Sequence, residues 1–330
     1  MNAATTMTEQ EFAELTERHR HELRVHCYRM LGSFEESEDL VQETFLRAWR
    51  RRETYQGRAS VRAWLYKIAT NATLDAIGKR PADKQVAVAT PETATTAEVS
   101  WLQPYPDHLL DLAAPAEQEP DAVAVARETI ELAYLVALQH LSPRQRAALI
   151  LRDVLGWSAA ETAKALDTTV ASANSALQRA RVTLKEHLPA RRADWSMPAE
   201  PTAEEKDVLA RFVAATEASD TDALAALLRA DIVHTMPPEP FATSGRDTVI
   251  EGWAAVLEGG RDSWGQWAAL PTWVNRQPAL GNYVRKPGAE LFTATNVDVL
   301  RVEDGLVAEV TTFGPEFITA CGLPATLPAR

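Results

Sequence analysis

The chain has 330 residues, 46% of them hydrophobic, and a formal net charge of −12. That length and apolar content allow two or three domains with proper cores. No apolar run reaches the roughly 18 residues a membrane span needs, and the opening MNAATTMTEQEF lacks the basic and apolar pattern of a signal peptide. Cys27 and Cys321 stand near opposite ends without metal or redox spacing, so a cytoplasmic, reduced protein is expected.

The charge is unevenly spread. Residues 1–82 carry 13 Lys/Arg against 12 Asp/Glu, residues 83–121 one Lys against eight acids, residues 122–195 ten basic against seven acidic, and residues 196–330 ten basic against nineteen acidic. A mildly basic segment therefore lies between two acidic ones. Phosphate contacts supply much of the affinity for DNA, so tight binding by a chain of net charge −12 with one mildly basic segment would be hard, and a larger basic partner could remove that difficulty.

Residues 8–82 read as all helix. Thr8 opens a helix with Phe12, Leu15, His19, Leu23 and Tyr28 near one face, running to a break at Gly32. The next helix, 38–52, buries Leu40, Val41, Thr44, Phe45, Ala48 and Trp49. Its opposite face carries Asp39, Gln42, Glu43 and Leu46, a stripe that suits a basic partner surface or, equally, plain solvent. After a Tyr55-Gln56-Gly57 loop, Ser60 caps a helix from Val61 to Ile77. It buries Val61, Trp64, Leu65, Ile68 and Ala72 and shows Tyr66, Lys67, Thr70 and Asn71. An aromatic, a cation and an amide on one face can stack a base, hold a phosphate and read a base edge, as unpaired DNA requires. A routine amphipathic helix has the same pattern.

Residues 83–121 read as an acidic linker rich in Ala, Thr and Pro. Within it, Trp101, Tyr105 and Asp107 belong to a two-aromatic, two-proline stretch expected to form an extended anchor. Residues 122–190 are helical again, with capping boxes at Ser142-Pro143-Arg144-Gln145 and Ser158-Ala159-Ala160-Glu161. Residues 158–187 fit a helix-turn-helix. The first helix, 159–166, turns Ala160, Ala163 and Leu166 inward, and Asp167-Thr168-Thr169 makes the turn. The second helix, 170–187, turns Val170, Ala173, Leu177, Ala180 and Leu184 inward. Its outer face offers Ser172, Asn174, Ser175, Gln178, Arg179 and Arg181, including the side chains that pair two-point with adenine or guanine.

Residues 200–330 change character: two helices, a strand at 232–236, a helix at 247–257, then strand-like runs at 266–275, 279–286, 290–302 and 305–313, the last two joined by an Asp304-Gly305 turn. This order predicts a compact α+β cone. His234, Met236, Trp253, Trp267, Trp273, Tyr283, Phe292 and Asn296 are pocket candidates, and His234 could pair with Asp222 or Asp298 as acid and base. Core positions are the plainer assignment for the histidine and the aromatics.

Three segments together resemble a known family. EDLVQETFLRAWRRR (38–52) resembles the core-polymerase-binding helix of bacterial sigma factors of the extracytoplasmic-function (ECF) class. SVRAWLYKIATNATLDAIGKR (60–80) resembles their promoter-melting helix, and 158–187 resembles their region 4, which reads the −35 element. The C-terminal segment is similar to SnoaL-like polyketide-cyclase domains. The fold this implies is multidomain: two all-α sigma regions (a region 2 helical bundle at 8–82 and a region 4 helix-turn-helix at 122–190), an acidic linker at 83–121, and a SnoaL-like α+β cone at 200–330.

By that resemblance Asp39, Gln42, Glu43 and Leu46 bind core RNA polymerase, and Arg58, Arg62, Tyr66, Lys67, Thr70 and Asn71 meet the −10 single strand, with Asn71 at a flipped base. Ser172, Asn174, Ser175, Gln178, Arg179 and Arg181 meet the −35 duplex. Ala176 stands where the family commonly has arginine, so that contact is not carried over. The acidic linker would thread through polymerase in place of RNA phosphates. The C-terminal domain would modulate activity by packing on regions 2 and 4, with Trp101, Tyr105 and Asp107 as latch, alone or beside an anti-sigma factor. No catalytic residue, cofactor or metal is implied. The alternatives are a bifunctional chain whose SnoaL-like domain binds or converts a small molecule (at His234, Trp253, Trp273 and Asn296) and a ligand-sensing helix-turn-helix regulator.

Overall fold

Short hydroxyl side chains start most of the helices. Thr8, Ser33, Ser60, Ser158, Thr169 and Thr202 each accept the backbone N–H three residues on, at 3.0–3.3 Å, satisfying a donor that a helix N-terminus leaves without a partner. The computed structural model describes residues 8–55, 60–80, 99–113, 130–188, 200–257 and 265–329. The chain divides into two compact units. The first holds residues 8–80, 109–113 and 133–188, and the second holds 99–108, 130–132 and 200–329.

In the first unit, α1 (Glu9–Glu17), α2 (Arg20–Leu31), α3 (Phe34–Arg50) and α4 (Val61–Ile77) pack together. The single helix expected from Thr8 to Gly32 is two. The Thr16 hydroxyl donates back to the Phe12 carbonyl at 2.9 Å, a bond that bends helices, and His19 turns its ring onto Glu22 at 2.5 Å. The break lets Phe12 lie edge-on to Trp49, with ring centroids 5.2 Å apart. Gly32, at φ +73, ends α2. The third helix starts at Phe34 rather than 38 because Ser33 supplies the cap. Its Phe45 and Trp49 are half-buried under Arg20 and Arg52, whose guanidinium groups lie 5.2 and 4.0 Å from the ring centres.

The second half of this unit is α6 (Leu132–Gln139), α7 (Pro143–Leu149), a wide π turn (Ile150–Val154), α8 (Ala159–Ala165) and α9 (Val170–His187). A short helix, α5 (Asp107–Ala113), precedes them. Arg146 of α7 is fully buried, donating to the Gln139 side chain at 2.6 Å and to the carbonyls of Gln139, Leu141 and Met30. Ala160 and Val170, expected inward, are exposed, because each lies in the first turn of its helix, beyond the packed face.

The second unit places α10 (Ala203–Ala218), α11 (Thr221–Leu227) and α12 (Arg246–Leu257) on a sheet ordered β2-β1-β6-β5-β4-β3. The strands are β1 (Leu228–Thr235), β2 (Ala242–Ser244), β3 (Gln266–Val274), β4 (Gln277–Arg285), β5 (Leu291–Glu303), β6 (Leu306–Phe313) and β7 (Thr326–Pro328), which pairs with β5. Pairing is antiparallel except between β1 and β6. Asn275-Arg276 and Asp304-Gly305, all at positive φ, make the two tight hairpin turns. Val208, Leu209 and Phe212 of α10 pack with Leu224, Val249 and Leu257 on Leu280, Leu300 and Val310 of the sheet.

His26 marks how tightly α2 meets α4. Its Nε2 sits 2.9 Å from the Thr70 hydroxyl. Burial, with the charges of Arg29 and Arg62, pulls its pKa down to about 3. The unfolded chain protonates this group near its ordinary value of about 6.5, so between those values the unfolded state binds more protons and stability falls as pH drops. At pH 5 the loss from this one group is about 2 kcal/mol. His26→Gln should therefore flatten the fall in urea midpoint between pH 7 and pH 5. An unchanged pH dependence would refute this account.

Candidate functional site

On α3 the stripe Asp39, Gln42 and Leu46 is exposed, Leu46 by 52%. Glu43 is half-buried and accepts from Arg47 Nε at 2.7 Å, while Arg47 Nη1 reaches Asp75 of α4 at 2.7 Å. A leucine in water, flanked by a carboxylate and an amide, gives this face an apolar anchor with polar neighbours.

Helix α4 departs from the expectation. Tyr66 is 2% exposed and Thr70 fully buried. The Tyr66 hydroxyl donates to Glu22 at 3.1 Å, and Thr70 donates to the Tyr66 carbonyl at 2.7 Å. Burial, with the nearby Glu22 charge, pushes the Tyr66 phenol up. Neither side chain can stack or read a base in this arrangement. The helix is enclosed because α2 and α3 pack one side of it while α7 and α8 pack another. Arg62 is half-exposed and its Nε donates to Glu22 at 2.7 Å. Lys67 and Asn71 remain at the surface of α4, and each meets α8. Lys67 Nζ donates to the Lys164 carbonyl and the Asp167 carboxylate, both at 2.8 Å, and Asn71 Nδ2 to the Ala165 carbonyl at 3.3 Å. Arg58 lies outside the described residues.

Helix α9 presents Ser172, Asn174, Ser175, Gln178, Arg179 and Arg181 to solvent. Arg179 donates to the Ser175 hydroxyl at 2.8 Å, and Arg181 forks onto Asp153 at 2.7 and 2.9 Å. The π turn carries Asp153 to this position. Asn174 and Gln178 are thus the exposed amides, Arg179 a cation held by a hydroxyl, and Arg181 a cation already matched by a carboxylate. Ala176 is half-buried.

In the second unit a cavity of about 420 Å³ opens between helices and sheet. Phe212, Leu224, Trp253, Val256, Trp267 and Phe313 form apolar walls. At the polar end, Asp298 accepts from Asn282 Nδ2 at 2.6 Å, Asn296 Nδ2 at 2.8 Å and the Thr312 hydroxyl at 2.6 Å. Burial raises the Asp298 carboxyl, and those three donors oppose the rise. His234, whose pKa burial lowers to about 4, is neutral near pH 7. Its Nδ1 accepts from the Trp253 indole at 3.3 Å, so Nε2 carries the proton and donates to Thr312 at 3.0 Å. The expected His234–Asp298 pair thus runs through Thr312, and Asp222 is not among the cavity residues. Trp273 is not either. It packs on the core, six residues from Trp267 and about 20 Å along the strand. Tyr283 and Phe292 also fall outside this cavity, Tyr283 donating to the Pro324 carbonyl at 2.9 Å.

The same unit holds the aromatic anchor. Trp101 and Tyr105 are buried. Asn275, at the β3–β4 turn, accepts from the Tyr105 N–H at 2.8 Å and donates to the Ile130 carbonyl at 2.7 Å. Asp107 accepts from the Arg276 N–H at 2.8 Å, and Gln277 accepts from the Leu132 N–H at 3.0 Å.

Family profiles match three parts of the chain: Sigma-70 region 2 at 15–81, Sigma-70 region 4 at 131–184, and a SnoaL-like domain at 209–310. The chain is 39% identical over 329 residues to the ECF RNA polymerase sigma factor SigG of Mycobacterium tuberculosis, covering 96% of this chain and 85% of that one. The chain belongs to the ECF RNA polymerase sigma factors. It is also 30% identical over 236 residues to SigJ of the same organism, covering 68% of this chain and 66% of SigJ. The crystal structure of SigJ superposes with a TM-score of 0.62 at 24% identity, covering 95% of this chain and 99% of that one, and so shares the fold.

The region 2 match takes in α2–α4, the region 4 match takes in α6–α8 and most of α9, and the SnoaL-like match lies in the second unit. Sequence reasoning named the anchor but missed its receptor. Asn275, at the end of a strand run and of a residue type that tolerates positive φ, is a turn signal that could have pointed to it. Asn282 and Thr312, which hold Asp298, lie on strands flanking β5 and carry no linear motif.

Replacing Asn275 by glycine keeps the positive φ available and removes the amide that joins Tyr105 to Ile130. Buried groups left without partners cost about 1–3 kcal/mol each, so Asn275→Gly should lose at least about 2 kcal/mol in denaturant unfolding of the full chain. A loss within about 0.5 kcal/mol, the range of an ordinary surface change, would show that the Asn275 amide adds nothing to the anchor beyond its other contacts.

Proposed function

We propose that this chain directs promoter-specific initiation by docking Asp39, Gln42, Glu43 and Leu46 of region 2 on core RNA polymerase. Arg62, Lys67 and Asn71 meet the −10 single strand. Ser172, Asn174, Ser175, Gln178, Arg179 and Arg181 of α9 meet the −35 duplex, with Asn174, Gln178 and Arg179 as the base readers. The observation that carries the reading is the exposed Leu46 within a polar stripe, on a helix whose other face is core. Promoter DNA and polymerase place the work in the cytoplasm, where Cys27 and Cys321, both free and buried, would stay reduced.

A second reading concerns the SnoaL-like domain, favoured by the apolar cavity with one polar end. It is a binding module for a small apolar molecule rather than an enzyme, and its occupancy modulates initiation. Asn282 Oδ1, buried without a hydrogen-bond partner among the described residues, would accept a donor from such a molecule.

Run-off transcription with purified core polymerase tests the first reading. Full-length protein should initiate only with core present. Leu46→Asp should lower core-dependent product at least about tenfold, equivalent to about 1.4 kcal/mol of binding. Gln178→Ala should weaken initiation on one promoter more than on its −35 variants. Product independent of added chain, or specific duplex binding without core, would instead favour an ordinary helix-turn-helix regulator.

A further inference from the structure

Lys67 and Asn71 are engaged within the protein itself: Asn71 Nδ2 donates to the Lys67 carbonyl of its own helix at 3.0 Å, and the groups beyond α4 that engage the two side chains share one origin. The Lys164 carbonyl, the Ala165 carbonyl and the Asp167 carboxylate all belong to the C-terminal end of α8 and the turn after it. A helix end leaves carbonyls without intrahelical partners and carries partial negative charge. Asp167 sits at φ +48, a left-handed position that aspartate tolerates. The end of α8 therefore offers a cation an anionic oxygen and offers an amide a neutral acceptor. A nucleotide strand offers the same two things, as phosphate and base edge.

The contact is supported on both sides. Trp157, just before α8, lies edge-on to Tyr66 with centroids 6.1 Å apart and packs on the region 2 core together with Leu155. Buried Arg146 of region 4 donates to the Met30 carbonyl at the end of α2. The regions are thus joined by apolar packing and by hydrogen bonds.

This arrangement cannot read both promoter elements. The −10 and −35 elements are about 25 positions apart, or about 85 Å of duplex at 3.4 Å per base pair. Gln178 follows Asp167 by about eleven residues, which span at most about 40 Å even when fully extended. With Asp167 on Lys67, the −35 readers lie within half of the distance required.

We propose that the C-terminal end of α8 is a built-in competitor for the −10 strand: it occupies Lys67 and Asn71 in the free protein and leaves when core polymerase draws regions 2 and 4 apart. The proposal rests on the reading of Lys67 and Asn71 as −10 contacts. Region 4 then has two uses: its α9 reads DNA in the open state, and its α8 blocks DNA in the closed one.

Three measurements on the full chain test it. The first is fluorescence anisotropy with a labelled nontemplate-strand oligonucleotide spanning −10 of a promoter mapped by run-off transcription. Asp167→Asn keeps the turn and removes the charge, and should tighten binding by the free protein at least about fivefold. Glu186→Gln, which removes an exposed charge from α9, should change it less than about twofold. The tightening should vanish when Asp167→Asn is combined with Lys67→Ala. The second is the distance between spin labels at Glu53→Cys and Lys185→Cys, short in the free protein and lengthened by core polymerase; both native cysteines are buried. The third is run-off transcription by the unmodified chain, which reports on the sigma reading alone. Equal affinity of Asp167→Asn and the unmodified chain, or a label distance unmoved by core, overturns the competitor while leaving core-dependent initiation intact. Absence of initiation overturns the underlying reading instead.

Discussion

The enclosure of α4 governs the first unit. Seven of its side chains, Leu65, Tyr66, Ile68, Ala69, Thr70, Ala72 and Thr73, are buried, more than one apolar stripe accounts for. A helix packed on two sides has few positions left for chemistry, and their identities are then set by geometry. Burying Tyr66 and Thr70 requires internal partners, which Glu22 and His26 supply. Lys67 and Asn71, next along the remaining face, are the residues that can meet something else.

That enclosure also explains what the sequence disclosed and what it hid. Ser60 and the span Val61–Ile77 were legible because a cap and a helical period are local signals. The assignment of Tyr66 and Thr70 to the open face failed because both are polar at one atom only. Tyrosine and threonine are as suited to a satisfied interior as to a surface, and the partner that decides lies on α2, forty-four residues away in the chain. Val170 failed in the opposite direction. An apolar residue in a helix's first turn has the right period but no neighbour to cover it.

In the second unit the hairpins and strands were legible from Asp304-Gly305 and from alternation, whereas the polar end of the cavity was not. Asp298 sits on β5 with Thr312 opposite on β6, and Asn282 on β4 lies opposite Asn296, two residues before Asp298. Cross-strand register creates that cluster, and register is set by the whole sheet. Trp273 shows the converse: it shares a face with Trp267, yet strand rise carries it out of reach of the cavity.

The anchor has a consequence for how such a chain can be altered over time. Residues 99–108 and 130–132 lie in the middle of the sequence yet belong to the body of the C-terminal unit. Loss of everything after residue 200 would leave Trp101, Leu102, Tyr105 and Ile130, all buried now, without the surface that covers them. A stop codon between the two units therefore does not restore a simpler two-region ancestor. The segments on both sides of that point must be inherited together, and a lineage that shed the C-terminal domain would have to replace its linker as well.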